Sequence, residues 1–117
     1  INRGYIHGQW TKRDCFILMD CDNEKYHNSV QLEAGIIALK KTDFNLNFFK
    51  EWYEFMKNEN ILTDIPNICG QPNLPSFMDH RHDQSILTNL SIKYNLSSYN
   101  FPHYVIKYNF NQPRVYG

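Results

Sequence analysis

Apolar and polar positions follow different periods in different parts of the chain. Between residues 44 and 57, Phe48, Phe49, Trp52, Phe55 and Met56 recur at i, i+1, i+4, i+7 and i+8. That spacing makes one wide apolar stripe and predicts an amphipathic helix. Lys50, Glu51, Glu54 and Lys57 fall on its other side, and Asp43 stands where an N-cap belongs. A second helical period runs from about Gln84 to Tyr94, with Ile86, Leu87, Leu90 and Tyr94 as its buried face. Asp83 sits at its start, where the helix dipole favours a carboxylate. The apolar run Cys15-Phe16-Ile17-Leu18-Met19 is too short for its period to separate helix from strand. Thr11 and Asp14 before it have capping-box spacing, which reads as helix.

Other stretches read as strands or loops. Residues 31–41, QLEAGIIALKK, have small and branched apolar residues in the middle and predict a buried strand, with Gly35 at a close approach. His103 to Tyr108 reads as a last strand. Residues 20–30 are polar and read as a loop. Residues 58–82 form a long connection in which Pro66, Pro72, Pro75 and Gly70 exclude a long helix or a central strand. Long irregular connections in small domains are often functional. This order predicts an α/β fold, a mixed sheet flanked by helices. Two strands are few for such a sheet, and the chain opens on Ile1 rather than Met. The expectation is therefore a single domain over 1–117 that forms the C-terminal half of a larger one.

The chain has 117 residues, with Lys and Arg together 12 and Asp and Glu together 12. That balance gives no basic surface of the kind nucleic acid requires. No apolar run approaches the roughly 20 residues of a membrane span. A content of 42% hydrophobic and 15% aromatic residues is that of a folded chain. Cys15, Cys21 and Cys69 are odd in number and form no CxxC, which points to a reducing, cytoplasmic setting rather than a disulfide framework. The sequons at Asn89 and Asn95 lie on or beside the predicted helix and read as chance matches.

The densest cluster of chemistry is DHRHDQS, residues 79–85, where the Pro-rich connection enters a helix. Such junctions present backbone N–H groups and a positive dipole end. His80, Arg81 and His82 suit a phosphate or a sugar hydroxyl, and Asp83 and Gln84 suit hydroxyls. The plainer reading makes Asp83 an N-cap, pairs Arg81 with Asp79 and leaves the histidines on the surface. Asp20 and Asp22 could hold Mg²⁺ or Mn²⁺ only if residues 15–19 were a strand. Cys69 reads as a structural thiol, and His103 as a strand-end residue. A metallohydrolase using His80, His82 and an Asp is a weaker alternative, since the following helix leaves little room for an extended pair.

The run Asp79-His80-Arg81-His82-Asp83-Gln84-Ser85-Ile86-Leu87 resembles a signature of GT-A-type glycosyltransferase-like proteins. Trp10-Thr11-Lys12-Arg13-Asp14, Gln31 through Lys41, Glu51-Trp52 and Leu62-Thr63-Asp64-Ile65-Pro66-Asn67 match in order. Glu33-Ala34-Gly35-Ile36-Ile37 is similar to the Asn-Ala-Gly strand of retaining galactosyl- and glucosyltransferases related to glycogenin, with Glu33 standing where the relatives have Asn. The resemblance covers most of residues 10–96 and implies part of a GT-A (nucleotide-diphospho-sugar transferase) fold. It implies sugar transfer from a nucleotide-sugar donor to a glycan or other hydroxyl acceptor, in polysaccharide or glycan synthesis, with a divalent cation, Mn²⁺ or Mg²⁺. Asp83 and Gln84 take the catalytic places, and His80, Arg81, His82, Gln31 and Glu33 those of substrate contacts. The metal ligands are unassigned, because the nucleotide-binding half of such enzymes, with its Asp-x-Asp motif, has no counterpart ahead of Trp10, and the expectation is that this segment alone is inactive. A late His of the relatives would make His103 a metal ligand. The rival expectation is a non-catalytic binding or scaffold domain on the same frame.

Overall fold

A computed structural model describes residues 5–32 and 42–96. In order these hold a 3-10 turn at His7–Trp10, then α1 (Arg13–Leu18), α2 (Glu24–His27), α3 (Asp43–Met56), α4 (Glu59–Leu62) and α5 (Asp83–Lys93). No sheet occurs among the described residues, where the one β-pairing is an isolated antiparallel bridge, Ile6 to Val30. The structure is mostly helical, which overturns the expected mixed α/β sheet and with it the partial GT-A fold. The physical reason is visible at Gln31 and Leu32. They belong to the proposed strand, yet their hydrogen bonds go to side chains and to the Tyr5 carbonyl rather than into a ladder. The remainder of that strand, Glu33 included, and the strand proposed at 103–108 lie outside the described residues.

The apolar core gathers Cys15, Phe16 and Met19 of α1 and its C-terminal turn, Cys21, Tyr26 of α2, Phe48 and Trp52 of α3, Ile61 of α4, and Ile86, Leu87 and Leu90 of α5. Burial of this kind, at roughly 1.5–3 kcal/mol per large side chain, is the main force holding such short helices. The predicted stripe of α3 is correct in its centre, Phe48 and Trp52, while Phe55 and Met56 are half-buried. Phe49 is 40% exposed, and Glu51 turns inward to meet Lys93 at 2.8 Å and the Tyr94 hydroxyl. Tyr94 is correspondingly exposed rather than part of the buried face.

Two predicted caps are replaced. Thr42, not Asp43, caps α3, its hydroxyl accepting from the Asn45 amide at 3.1 Å. The helix at α1 forms as expected but without the capping box. Its first amides are satisfied from the far loop: Arg13 N–H donates to Asn73 Oδ1 at 2.7 Å and Asp14 N–H to Asn67 Oδ1 at 3.0 Å. Thr11 is used elsewhere, and the Asp14 carboxylate accepts from the amides of Ile68 and Cys69. The long connection is thus irregular apart from α4, yet tied to α1 along its middle. The turn at His7–Trp10 packs so close to α2 that a Cβ on Gly8 would lie 2.9 Å from the His27 carbonyl oxygen.

Candidate functional site

The junction between the long connection and α5 has a buried layer and an exposed one. The buried layer begins with α5 itself, on which every residue from Ser85 to Ser91 is buried, polar ones included. Ser85 Oγ donates to the Trp10 carbonyl at 2.8 Å and accepts from Thr11 Oγ1 at 3.0 Å and Gln31 Nε2 at 3.1 Å. Asn89 Nδ2 donates to the Cys15 carbonyl at 3.2 Å, so its Oδ1 accepts from His7 Nε2 at 2.8 Å. The opposite nitrogen, Nδ1, then takes the Gln31 amide at 3.1 Å. Full satisfaction lets such a network lie in a core without large cost. Burial holds His7 neutral, with its pKa lowered to about 4.

Gln31 reaches from this layer to the motif. Gln84 Nε2 donates to Gln31 Oε1 at 2.8 Å. Two residues proposed from sequence as site members, 53 positions apart, are therefore in contact. Both serve the support of the helix N-terminus. Trp52 adds a further support from α3, its indole N–H donating to the Asp83 carbonyl at 3.1 Å.

His80 belongs to the buried layer too, and its proposed role as a direct substrate contact is corrected. It is 1% exposed. The Lys12 amide donates to its Nδ1 at 3.1 Å, leaving Nε2–H to donate to the Ile61 carbonyl at 2.9 Å. Burial again dominates, lowering its pKa to about 4. Lys12, also buried, sends its ammonium to the carbonyls of Thr63 at 2.9 Å and Ile65 at 2.7 Å. Lys12 and His80 together pin residues 61–65 against the 80–82 segment.

The outer layer consists of the exposed Asp64, His82 and Asp83 and the half-buried Arg81. The Arg81 amide donates to the Trp10 carbonyl at 3.0 Å. Its guanidinium lies 4.6 Å from the Trp10 ring centroid and 5.6 Å from that of Tyr5. It is held by cation–π contact rather than by the expected pairing with Asp79. Arg81 Nε and Trp10 Nε1 are buried without hydrogen-bond partners. His82 Nε2 donates to both oxygens of Asp64, at 3.1 and 3.0 Å. That bond holds the Asp64 carboxyl below its ordinary range.

His82 has φ 52° and ψ −119°. With the Gln84 amide donating to the Arg81 carbonyl at 3.0 Å, residues 81–84 form a turn of type II′. Its first central position normally takes glycine. A histidine there costs on the order of 1–3 kcal/mol and persists because the neighbouring contacts hold it. His82 also occupies the N-cap position without a side-chain cap, and Asp83 is the first helical residue, not the cap. Sequence reasoning missed Asp64, Trp10 and Lys12 as parts of this site. The Leu62-to-Asn67 match contained Asp64, but nothing in its spacing linked it to His82.

The alternative metal pair is not assembled. Asp22 is engaged by Arg13 at 2.9 and 3.0 Å and by His27 at 2.8 Å, and the Arg13 bonds hold its carboxyl low. Asp20 is exposed, in a turn at φ 60°. Among the described residues no group of three His, Cys, Asp or Glu side chains could hold a metal ion. The divalent cation implied by the resemblance therefore has no fitting ligand set among them. Cys69 is half-buried, and burial pushes its thiol up, as expected of a structural cysteine. Asn89, within one sequon, is fully buried, in keeping with a chance match.

No family model, curated protein or solved structure matches the chain. Among the described residues no helix is long and apolar enough to cross a membrane.

Proposed function

We propose that the chain forms the sugar-orienting part of a glycosyltransferase, acting on a nucleotide-sugar donor and a hydroxyl acceptor. The observation that carries this reading is the support under the 82–84 turn. Gln31 holds Gln84, Trp52 holds the Asp83 backbone, and the Asp83 side chain is left exposed. Polar recognition of a sugar needs hydrogen-bonding groups held still, because each ordered side chain otherwise costs entropy on binding. Asp83 accepts hydrogen bonds from two sugar hydroxyls, and Arg81, over Trp10, supplies a fixed positive charge toward the diphosphate. Gln84 and Gln31 orient this edge, and His80 acts beneath it as a strut.

Calorimetric titration of the protein with UDP-, GDP- and CMP-sugars, each with and without Mn²⁺, tests the reading. Binding of one donor that Asp83→Asn weakens at least tenfold, with the thermal midpoint unchanged, is the expected result. The absence of binding by every donor, or equal binding by the variant, moves the weight to a binding or scaffold domain.

A further inference from the structure

We propose that the outer face of α3 is a groove for a neutral saccharide, the glycan acceptor of the transfer. The inference deepens the glycosyl-transfer reading and rests on it for the acceptor role alone. The binding itself rests on the chemistry of the face.

Phe48 and Trp52 are the side of α3 that the core buries. On its other side Asp43, Leu46, Asn47, Phe49, Lys50 and Tyr53 line a groove of about 660 Å³. Small-molecule sites span roughly 300–1,000 Å³. From Asp43 the positions i, i+3, i+4, i+7 and i+10 form one stripe, with Phe49 at its edge. At 1.5 Å per residue it runs about 15 Å, the length of a short oligosaccharide. Phe49 is 40% exposed, Leu46 44% and Tyr53 59%. Apolar side chains gathered on a surface mark a contact site.

Both rings are held ready. Phe49 stacks on Trp52, with centroids 5.7 Å apart and planes at 21°. Lys57 Nζ lies 5.3 Å from the Tyr53 centroid and bonds Glu54 at 3.1 Å. Each ring is backed on one side and exposed on the other, so little ordering remains to oppose binding.

Between the rings the groove is polar. The side chains of Asp43, Asn47 and Lys50 are exposed and meet no hydrogen-bond partner among the described residues. One carboxylate, one amide and one ammonium offer acceptors and donors with no net charge. That balance gives a phosphate or a cation no advantage and suits hydroxyls. A pyranose uses both halves: its C–H face packs on an aromatic ring while its hydroxyls bond the polar groups. Asn47 and Lys50 interrupt the continuous apolar strip that a partner helix would need.

The position fits an acceptor. Trp52, against which Phe49 stacks, holds the Asp83 carbonyl at 3.1 Å. One indole therefore carries both the edge of the groove and the proposed contact to the donor sugar.

The test titrates the isotope-labelled chain with maltotriose, cellotriose and triacetylchitotriose and follows its amide resonances. Donor binding is measured by calorimetry and self-association by sedimentation. The expected result is one saccharide bound with a Kd of about 1 mM or tighter, with the largest shifts at residues 43–53. Tyr53→Ala and Asn47→Ala each weaken it about three- to tenfold, with thermal midpoints kept because both positions are exposed. Binding of none of the three, shifts centred on residues 82–84, or equal binding by both variants overturns the groove. Self-association that Tyr53→Ala abolishes, without saccharide binding, assigns the face to a second copy and overturns it too. In each of these cases a nucleotide-sugar that still binds leaves the transferase reading intact. Saccharide binding at α3 by a chain that takes no donor upholds the groove and overturns the transferase reading instead.

Discussion

The imidazole of His80 receives the amide of Lys12 at 3.1 Å and gives its other N–H to the Ile61 carbonyl at 2.9 Å. It thereby joins α1, α4 and the start of the DHRHDQS motif through one buried ring. Replacing it with an isosteric hydrocarbon strands a donor and an acceptor that have no other partner in that position. His80→Leu is therefore expected to destabilise the fold by about 2–4 kcal/mol, read from urea unfolding. A loss below about 0.5 kcal/mol would place His80 at the surface.

Acid acts through the same ring and through His7. Both are buried neutral with pKa values lowered to about 4, while the unfolded imidazole sits near 6.5. Between those values the unfolded chain binds more protons, so stability is complete above about pH 6.5 and is lost as pH falls toward 4. Each ring contributes on the order of 3 kcal/mol to that loss. The paired Asp22 carboxyl, held low by Arg13, acts in the same direction at still lower pH. Unfolding free energies measured from pH 7.5 to 4.5 should fall steeply, and His80→Leu should flatten the slope.

Trp52 has separable roles. Its ring fills the core between α3 and α5, and its indole N–H holds the Asp83 carbonyl. Trp52→Ala should cost roughly 3–5 kcal/mol. Trp52→Phe keeps most of the packing and removes the hydrogen bond, at about 1–2 kcal/mol. Equal losses in the two variants would assign the whole effect to the hydrogen bond rather than the ring.

Asp14 holds the long connection. Its carboxylate is fully buried and accepts from the amides of Ile68 at 2.8 Å and Cys69 at 2.9 Å. Asp14→Asn replaces one acceptor oxygen with a donor group that faces another donor. Limited proteolysis should then cut between residues 65 and 75 at least several-fold faster, with the far-UV spectrum of the helices retained. An unchanged cleavage pattern would show that Asn67 and Asn73 hold the loop without it.

Helices α3 and α5 were legible because each carries apolar side chains at intervals that local backbone geometry turns into one face, whereas α1 was read as a helix from a capping box that the structure does not form. The motif at 79–85 was legible as chemistry because its charge density fits no ordinary core. Its division was not legible. His80 and His82 are two residues apart, yet one is a buried strut and the other an exposed partner of Asp64. The polar residues Ser85, Thr88, Asn89 and Ser91 were not part of the buried face read for α5 and are buried. A polar group enters a core only where partners meet it. Those of Ser85 and Asn89 come from residues 7 to 31, a separation that no local period encodes. The sequence by itself determined where the two longest helices, α3 and α5, form and which residues bear charge, while α2 and α4 lie in stretches that read as loops. Only the tertiary structure decided which of those polar groups hold the fold and which face solvent, because that depends on hydrogen-bond partners brought together by folding.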